Sequence, residues 1–179
     1  MEHSFVEAMD RARLDRLMGA AVMGMVISFT CVTPEELDRA EKDPEWAREF
    51  LWEVDELRPD NPDADLDKAW AGLEFLLGKA GESLEFLMDG YPIDDEGTLF
   101  SWSVEDVQAL AKRLGALPWE RLATHYDPVR MTEEEVYPNI WDPEDEDASE
   151  YLKGNYETLV SFFDATARLE SAALMSFSF

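Results

Sequence analysis

The sequence is poor in cysteine and histidine, and each shortage excludes a class of site. Cys31 is the only cysteine among 179 residues, so an intramolecular disulfide and a cysteine-based zinc site within one chain are excluded. Only His3 and His125 are histidines, and a histidine-based metal site needs at least two convergent ligands. No run reaches the roughly 18 apolar residues of a membrane-spanning helix. We therefore expect a cytoplasmic protein with no metal site.

Short motifs that indicate catalysis or nucleotide binding are also missing. The chain contains no G-x-S-x-G, G-x-x-x-x-G-K-[ST], G-x-G-x-x-G or H-E-x-x-H. His125 precedes Tyr126-Asp127-Pro128, a predicted turn, where a solvated or capping histidine is more common than a catalytic one. The sequence thus predicts no catalytic residue and no cofactor, and it favours a protein that is not an enzyme.

Positive charge is scarce, whereas negative charge is abundant. Lys and Arg number 15 against 41 Asp and Glu, which gives a net charge of −26. Such a charge repels nucleic acid phosphates and anionic lipids, so we expect neither a nucleic acid nor a membrane partner. Three interpretations stay open: adaptation for solubility or salt, a partner with a basic face, and mimicry of nucleic acid charge. The first is favoured, because net charge bears on solubility and association rather than on fold.

Apolar periodicity predicts a few strands among many helices. Alternating apolar residues indicate strands over 25–32 and 98–102, and the apolar end of the chain, 172–179, indicates a third. Two capping boxes, Thr33 with Glu36 and Ser103 with Asp106, mark helix starts. Further helices are predicted over 1–20, 44–57, 65–78, 118–123 and 149–168. This order predicts an α+β fold with a small mixed or antiparallel sheet packed against several helices, in which the first and last strands pair.

The segment 65–78 carries the clearest apolar stripe in the chain. Its apolar residues recur at helical spacing, at Leu66, Ala69, Trp70, Leu73, Leu76 and Leu77. The spacing predicts a helix that buries one face. It also places Asp67 near the helix N-terminus, where a carboxylate suits the helix dipole.

Several segments, taken in order, resemble the YfbM-like proteins, a family of bacterial proteins of unknown function. The segments that carry the resemblance are Met23-Gly24-Met25 before the first strand, Leu66 to Trp70 continuing to Gly78, Tyr126-Asp127-Pro128, Val136-Tyr137-Pro138 with Trp141, and Tyr151-Leu152 with Asn155-Tyr156. The resemblance implies one α+β domain over 23–179, with 1–22 as an N-terminal helical extension. It implies no activity. Relatives often carry histidine at the positions of Ala71 and Glu74, so a site built on those histidines would be lost here.

The aromatic residues in these segments allow one binding site. Asp67, Trp70, Asp127, Tyr137 and Trp141 could surround a shared cleft, because aromatic rings with a few polar groups suit a ligand or peptide. Core packing remains the favoured interpretation, since large aromatic residues at helical spacing are usually buried.

Three functions follow from these observations. The favoured one is a non-enzymatic interaction protein, resembling an immunity protein against a secreted toxin or an adaptor, whose acidic surface binds a basic protein. The alternative is a small-molecule binding protein or an uncharacterised enzyme with a cleft near Trp70, Tyr137 and Trp141. Mimicry of nucleic acid is the third, and it would require carboxylates spaced like phosphates.

Overall fold

The computed structural model describes residues 24–179. In chain order their elements are β1 (Val26–Val32), α1 (Pro34–Lys42), α2 (Pro44–Leu57), β2 (Asp63–Asp65), α3 (Trp70–Lys79), α4 (Phe86–Asp89), β3 (Tyr91–Pro92), β4 (Leu99–Trp102), α5 (Val104–Gly115), α6 (Trp119–Ala123), α7 (Pro128–Glu133), α8 (Asp147–Arg168) and β5 (Ala172–Ser178). The helix predicted over 1–20 lies outside the described residues. The division into an extension, 1–22, and a domain, 23–179, stays a prediction.

The five strands form one antiparallel sheet in the order β2-β1-β5-β4-β3. Strand β5 pairs with β1 along its whole length, from Val26 opposite Ser178 to Val32 opposite Ala172. The last strand therefore lies at the centre of the sheet, and the predicted pairing of first and last strands is confirmed. The α+β fold class is confirmed as well, with an antiparallel sheet.

Helices cover both faces of the sheet. Phe29 and its neighbours on alternate positions of β1 point into the larger core, which α3, α5 and α8 complete. Val32 and Leu174 belong to a smaller core on the opposite face, closed by α1 and α2. Alternation along the strands thus assigns each residue to one of two helical layers. Cys31 lies in the larger core and is a buried free thiol.

Local capping sets the starts of three helices. At α1, the Thr33 hydroxyl accepts from the Glu36 amide at 3.2 Å, and Glu36 accepts from the Thr33 amide at 2.9 Å. Ser103 and Asp106 form the same reciprocal pair at α5. Asp43 caps α2 by accepting from the Trp46 amide at 3.1 Å. Both predicted capping boxes are therefore confirmed.

The segment 65–78 differs from its prediction at its beginning. Helix α3 starts only at Trp70, because the preceding residues continue the sheet: the Leu66 amide donates to the Ile27 carbonyl at 2.9 Å. The Asp65 carboxylate then accepts from the Asp67 amide, and Asp67 adopts a left-handed φ of 46°. The predicted position of Asp67 on the helix was wrong. The apolar stripe itself is confirmed, since its six residues are buried.

Within 24–179, no helix combines the length and the apolar character that crossing a membrane requires.

Candidate functional site

Trp70 and Tyr137 hold the peptide groups of Met25 from two sides. The Trp70 indole donates to the Met25 carbonyl at 3.1 Å, and the Met25 amide donates to the Tyr137 hydroxyl at 2.8 Å. The two rings lie against each other, with centroids 5.7 Å apart. Trp70 is 2% exposed. Its ring and its N–H are therefore used in fixing the start of β1, which is a packing role.

Asp67 is joined to α8 by a hydrogen bond. The Tyr151 hydroxyl donates to the Asp67 carboxylate at 2.7 Å and accepts from the Lys68 amide at 3.1 Å. Burial raises the pKa of Tyr151, and the hydrogen bond to Asp67 raises it further. The phenol stays neutral at physiological pH, with its donor and one lone pair occupied. This contact ties the turn after β2 to α8.

Trp141 packs on α3 at a glycine. A Cβ placed on Gly72 would lie 2.8 Å from Cη2 of Trp141 and 2.7 Å from a methyl carbon of Leu152. The Trp141 N–H donates to the Val136 carbonyl at 2.6 Å. Trp141 is 4% exposed, and its accessible edge lines a depression of about 620 Å³. Gly72 thus permits the close approach of this ring to α3.

Asp127 lies at another depression. It caps α7 by accepting from the Arg130 amide at 3.0 Å. The depression of about 390 Å³ at this point is lined by Asp127 with Phe75, Lys79, His125 and Arg130 among others. Asp127 and Trp141 therefore line different depressions, whereas Trp70 and Tyr137 are in contact. The shared binding cleft of the five residues stays a prediction.

The carboxyl group of Glu74 has the most strongly shifted pKa of the carboxyl groups in the described part of the chain. Its Oε1 accepts from the Phe86 amide at 2.7 Å. The pKa of Glu74 is raised to about 8, chiefly by burial; nearby Glu85 and Asp89 contribute to the rise, and the hydrogen bond from the Phe86 amide opposes it. The carboxyl is therefore mostly protonated at neutral pH and connects α3 with α4. Between residues 24 and 179, no three His, Cys, Asp or Glu side chains come together in a metal-binding arrangement.

The outward face of α2 is a surface that sequence reasoning missed. Trp52 is 86% exposed. Three acidic residues on the same helix are also exposed. Glu49 lies three residues before Trp52, and Asp55 and Glu56 lie three and four residues after it. Residues at these spacings are neighbours on a helix surface. The available signal was that Trp52 falls off the buried stripe of its own helix.

The arginines near α2 already have partners on the inner side of that helix. Arg39 lies over the Trp46 ring, 4.2 Å from its centroid. Arg58 lies 5.3 Å from the Phe50 centroid and 3.2 Å from a Glu36 oxygen. Arg48 bonds Asp94 at 2.8 Å and Glu96 at 3.1 Å. None of these contacts involves the acidic residues around Trp52.

The fold is an α+β domain whose antiparallel sheet lies between two layers of helices. The chain belongs to the family described as a domain of unknown function, DUF1877, whose model matches residues 23–176. This match confirms the family resemblance.

A solved structure of YfbM from Escherichia coli, described as a protein of unknown function, has a similar fold. The TM-score is 0.61 at 19% sequence identity, over 86% of this chain and 99% of that chain. No curated protein sequence matches the chain. At this identity the structural likeness establishes the fold alone, and neither match supplies an activity.

Proposed function

We propose that this protein is a non-enzymatic interaction protein that binds a basic protein through its acidic surface. The observation that carries the proposal is the charge balance of residues 24–179, which contain twelve Lys and Arg against thirty-seven Asp and Glu. If every cation paired with one carboxylate, twenty-five carboxylates would remain in excess. A field of this sign accelerates encounters with basic proteins and suppresses encounters with acidic ones.

The ion pairs within the described residues support the same conclusion. They engage cations from several elements between residues 42 and 168: Lys42, Arg48, Arg58, Lys79, Arg113, Arg130 and Arg168. Apart from the pair of Arg48 with the buried Asp94, both partners of these pairs are at least partly exposed, and such pairs contribute little to stability, typically about 0–1 kcal/mol. The acidic excess is therefore not explained by a need for internal pairing, and a basic partner would neutralise it.

Two roles fit binding without catalysis. One is an immunity-like protein that covers a basic toxin, and the other is an adaptor for a basic regulatory protein. Both need only a complementary surface. We place this interaction in the cytoplasm, in keeping with a chain whose single cysteine is a buried free thiol.

Affinity capture tests this proposal. The full chain would be immobilised and exposed to lysate of the cells that make it, at about 50 mM and about 500 mM salt, since charges are screened over a few ångströms at the higher concentration. We expect a basic protein that is retained at low salt and released at high salt. A second column carrying an unrelated protein of similar negative charge identifies capture by charge alone.

The captured protein would then be purified and titrated into the chain by calorimetry. A saturable complex with a defined stoichiometry supports the proposal. Retention of nothing at low salt, or retention of acidic proteins only, contradicts it.

The depression beside Trp141 favours a second candidate, binding of a small molecule. Its volume of about 620 Å³ lies within the range of ligand pockets, about 300–1,000 Å³. Exposed Val129 and Ile140 give it apolar walls, and Thr132 and Asn139 add polar groups.

Thermal shift with a metabolite library tests this candidate. A ligand at 100 times its Kd stabilises the fold by about 2.7 kcal/mol. The shift should disappear in Ile140→Lys, which places a charge in the depression. A library that produces no shift, or a shift that Ile140→Lys retains, contradicts binding at this place.

A further inference from the structure

Helix α2 carries three large aromatic rings, and two of them are covered by a guanidinium. Trp46 and Phe50 stack with centroids 5.0 Å apart. Arg39 lies over Trp46 at 4.2 Å, and Arg58 lies over Phe50 at 5.3 Å. Cation–π contacts of this kind are electrostatic, because the ring face is negative. The chain therefore already contains two examples of arginine bound to an aromatic ring of this helix.

Trp52 is the third ring and is the exception. It is 86% exposed, and across residues 24–179 no Lys or Arg lies over it. The other five tryptophans are all more buried. Tryptophan is one of the residue types enriched among interaction hot spots. The position of Trp52 thus leaves a complete ring face open to a partner.

The surroundings of Trp52 specify the charge of that partner. Glu49, Asp55 and Glu56 lie about one helical turn from Trp52, and all are exposed. The nearby Arg48 is turned to Asp94 and Glu96. Carboxylates accept paired hydrogen bonds from a guanidinium, whose planar fork matches their geometry. A cation that reaches Trp52 would therefore find several acceptors beside the ring.

We infer that this face of α2 is the docking surface for an arginine-rich segment of a basic protein, with one guanidinium stacked on Trp52 and its neighbours paired with Glu49, Asp55 and Glu56. The inference rests on the proposed function and gives it a location and a chemistry. Arginine is favoured over lysine because a planar guanidinium both stacks on an indole and bonds a carboxylate in two places. A second copy of this chain would bring like charges together.

Fluorescence anisotropy with two labelled peptides of equal charge, deca-arginine and deca-lysine, tests the inference on the full chain. At about 50 mM salt, where screening is weak, we expect deca-arginine to bind more tightly than deca-lysine. Trp52→Ala should weaken deca-arginine binding by about two- to fivefold, the size of an exposed cation–π contact, and should remove the preference for arginine. The control is Tyr91→Ala, which removes another exposed aromatic side chain, 67% accessible, and should change nothing.

A charge-matched pair of variants tests the location independently. The double variant Glu49→Gln with Glu56→Gln should weaken deca-arginine binding more than Glu133→Gln with Glu144→Gln, which removes equal charge from exposed residues elsewhere. All these positions are on the surface, so the variants should fold, and circular dichroism would verify it.

The outcomes separate the docking surface from the proposed function. Unchanged deca-arginine binding by Trp52→Ala, or equal loss in the two charge variants, overturns the docking surface and leaves acidic binding standing. Failure of the wild type to bind either peptide at low salt contradicts both. A wild-type dimer in sedimentation that Trp52→Ala dissociates assigns the surface to a second copy and overturns the inference.

Discussion

The Tyr151 hydroxyl donates to the Asp67 carboxylate at 2.7 Å, joining α8 to the turn that follows β2. The same oxygen accepts from the Lys68 amide at 3.1 Å. The turn carries Asp67 in the left-handed region, at φ 46°, which is unfavourable for a residue with a side chain. The hydrogen bonds to Tyr151 help to maintain this backbone conformation, and Asp67 thereby has a structural role.

Tyr151→Phe should lower the free energy of unfolding by about 1–2 kcal/mol, because it removes a hydrogen bond to a charged group and leaves the Lys68 amide without its acceptor. Urea denaturation at neutral pH measures the change. Tyr91→Phe, at an exposed tyrosine, is the control and should be neutral. Equal urea midpoints for Tyr151→Phe and the wild type would contradict the structural role.

Gly72→Ala should destabilise the fold by about 1–3 kcal/mol, the usual cost of overpacking a core. The added methyl group would approach Trp141 to 2.8 Å and Leu152 to 2.7 Å, so both of these buried side chains would have to shift. The control is Gly154→Ala on α8, where a Cβ meets nothing within 4 Å. That change should stabilise by about 0.5–1 kcal/mol, because alanine is the better helix former. Thermal denaturation measures the stability of both variants. If Gly72→Ala and Gly154→Ala destabilise the fold equally, close packing of Trp141 on Gly72 does not explain the loss.

Glu74 should make stability depend on pH. Its pKa is about 8 in the folded protein, against 4.5 for an ordinary glutamate, so the folded state holds more protons than the unfolded state between these pH values. Its contribution to stability is therefore complete below pH 4.5 and is lost as pH rises through about 8.

Glu74→Gln keeps an acceptor for the Phe86 amide and removes the titration. Its stability relative to the wild type should rise by about 1–3 kcal/mol between pH 5 and pH 9, an order-of-magnitude figure based on 1.36 kcal/mol per pKa unit with allowance for relaxation. Urea midpoints measured across this range would show it. A constant difference between the two proteins would mean that the carboxyl is ionised at all these pH values.

The wild type should also gain stability from salt. With a net charge of −26, repulsion among carboxylates opposes the compact state, and salt screens it. The thermal midpoint should rise between about 10 mM and 200 mM sodium chloride. A midpoint that falls over this range would show that ion pairs outweigh repulsion.

Features that depend on short segments were predictable from the sequence. The capping boxes at Thr33 and Ser103 are local chemistry, and the stripe from Leu66 to Leu77 is a periodicity. The strand at β5 was predicted from the apolar residues at the end of the chain, and its pairing with β1 was predicted with it. The start of α3 was mispredicted, because a residue such as Leu66 can be buried equally well by a strand end or a helix. Helix α7 was missed, although Asp127-Pro128 repeats the Asp43-Pro44 signal that begins α2.

The contacts of the candidate site were less predictable, because they join residues that are far apart in the sequence. Burial of Trp70 followed from its spacing, whereas its bond to Met25 depends on residues 45 positions apart. Exposure of Trp52 could be suspected from its place off the stripe, but the arginines over Trp46 and Phe50 come from α1 and from the end of α2. Only the folded chain shows that Trp52 lacks such a partner among the described residues.

The most direct test of the account is the affinity of the captured partner as a function of salt. Calorimetric titration of the purified pair between about 50 mM and 500 mM sodium chloride would provide it, because screening over this range removes most of the attraction between exposed charges. We predict that binding weakens, with a Kd at least about tenfold higher at the higher salt concentration, because association becomes slower. A Kd that does not change with salt would contradict binding through the acidic surface.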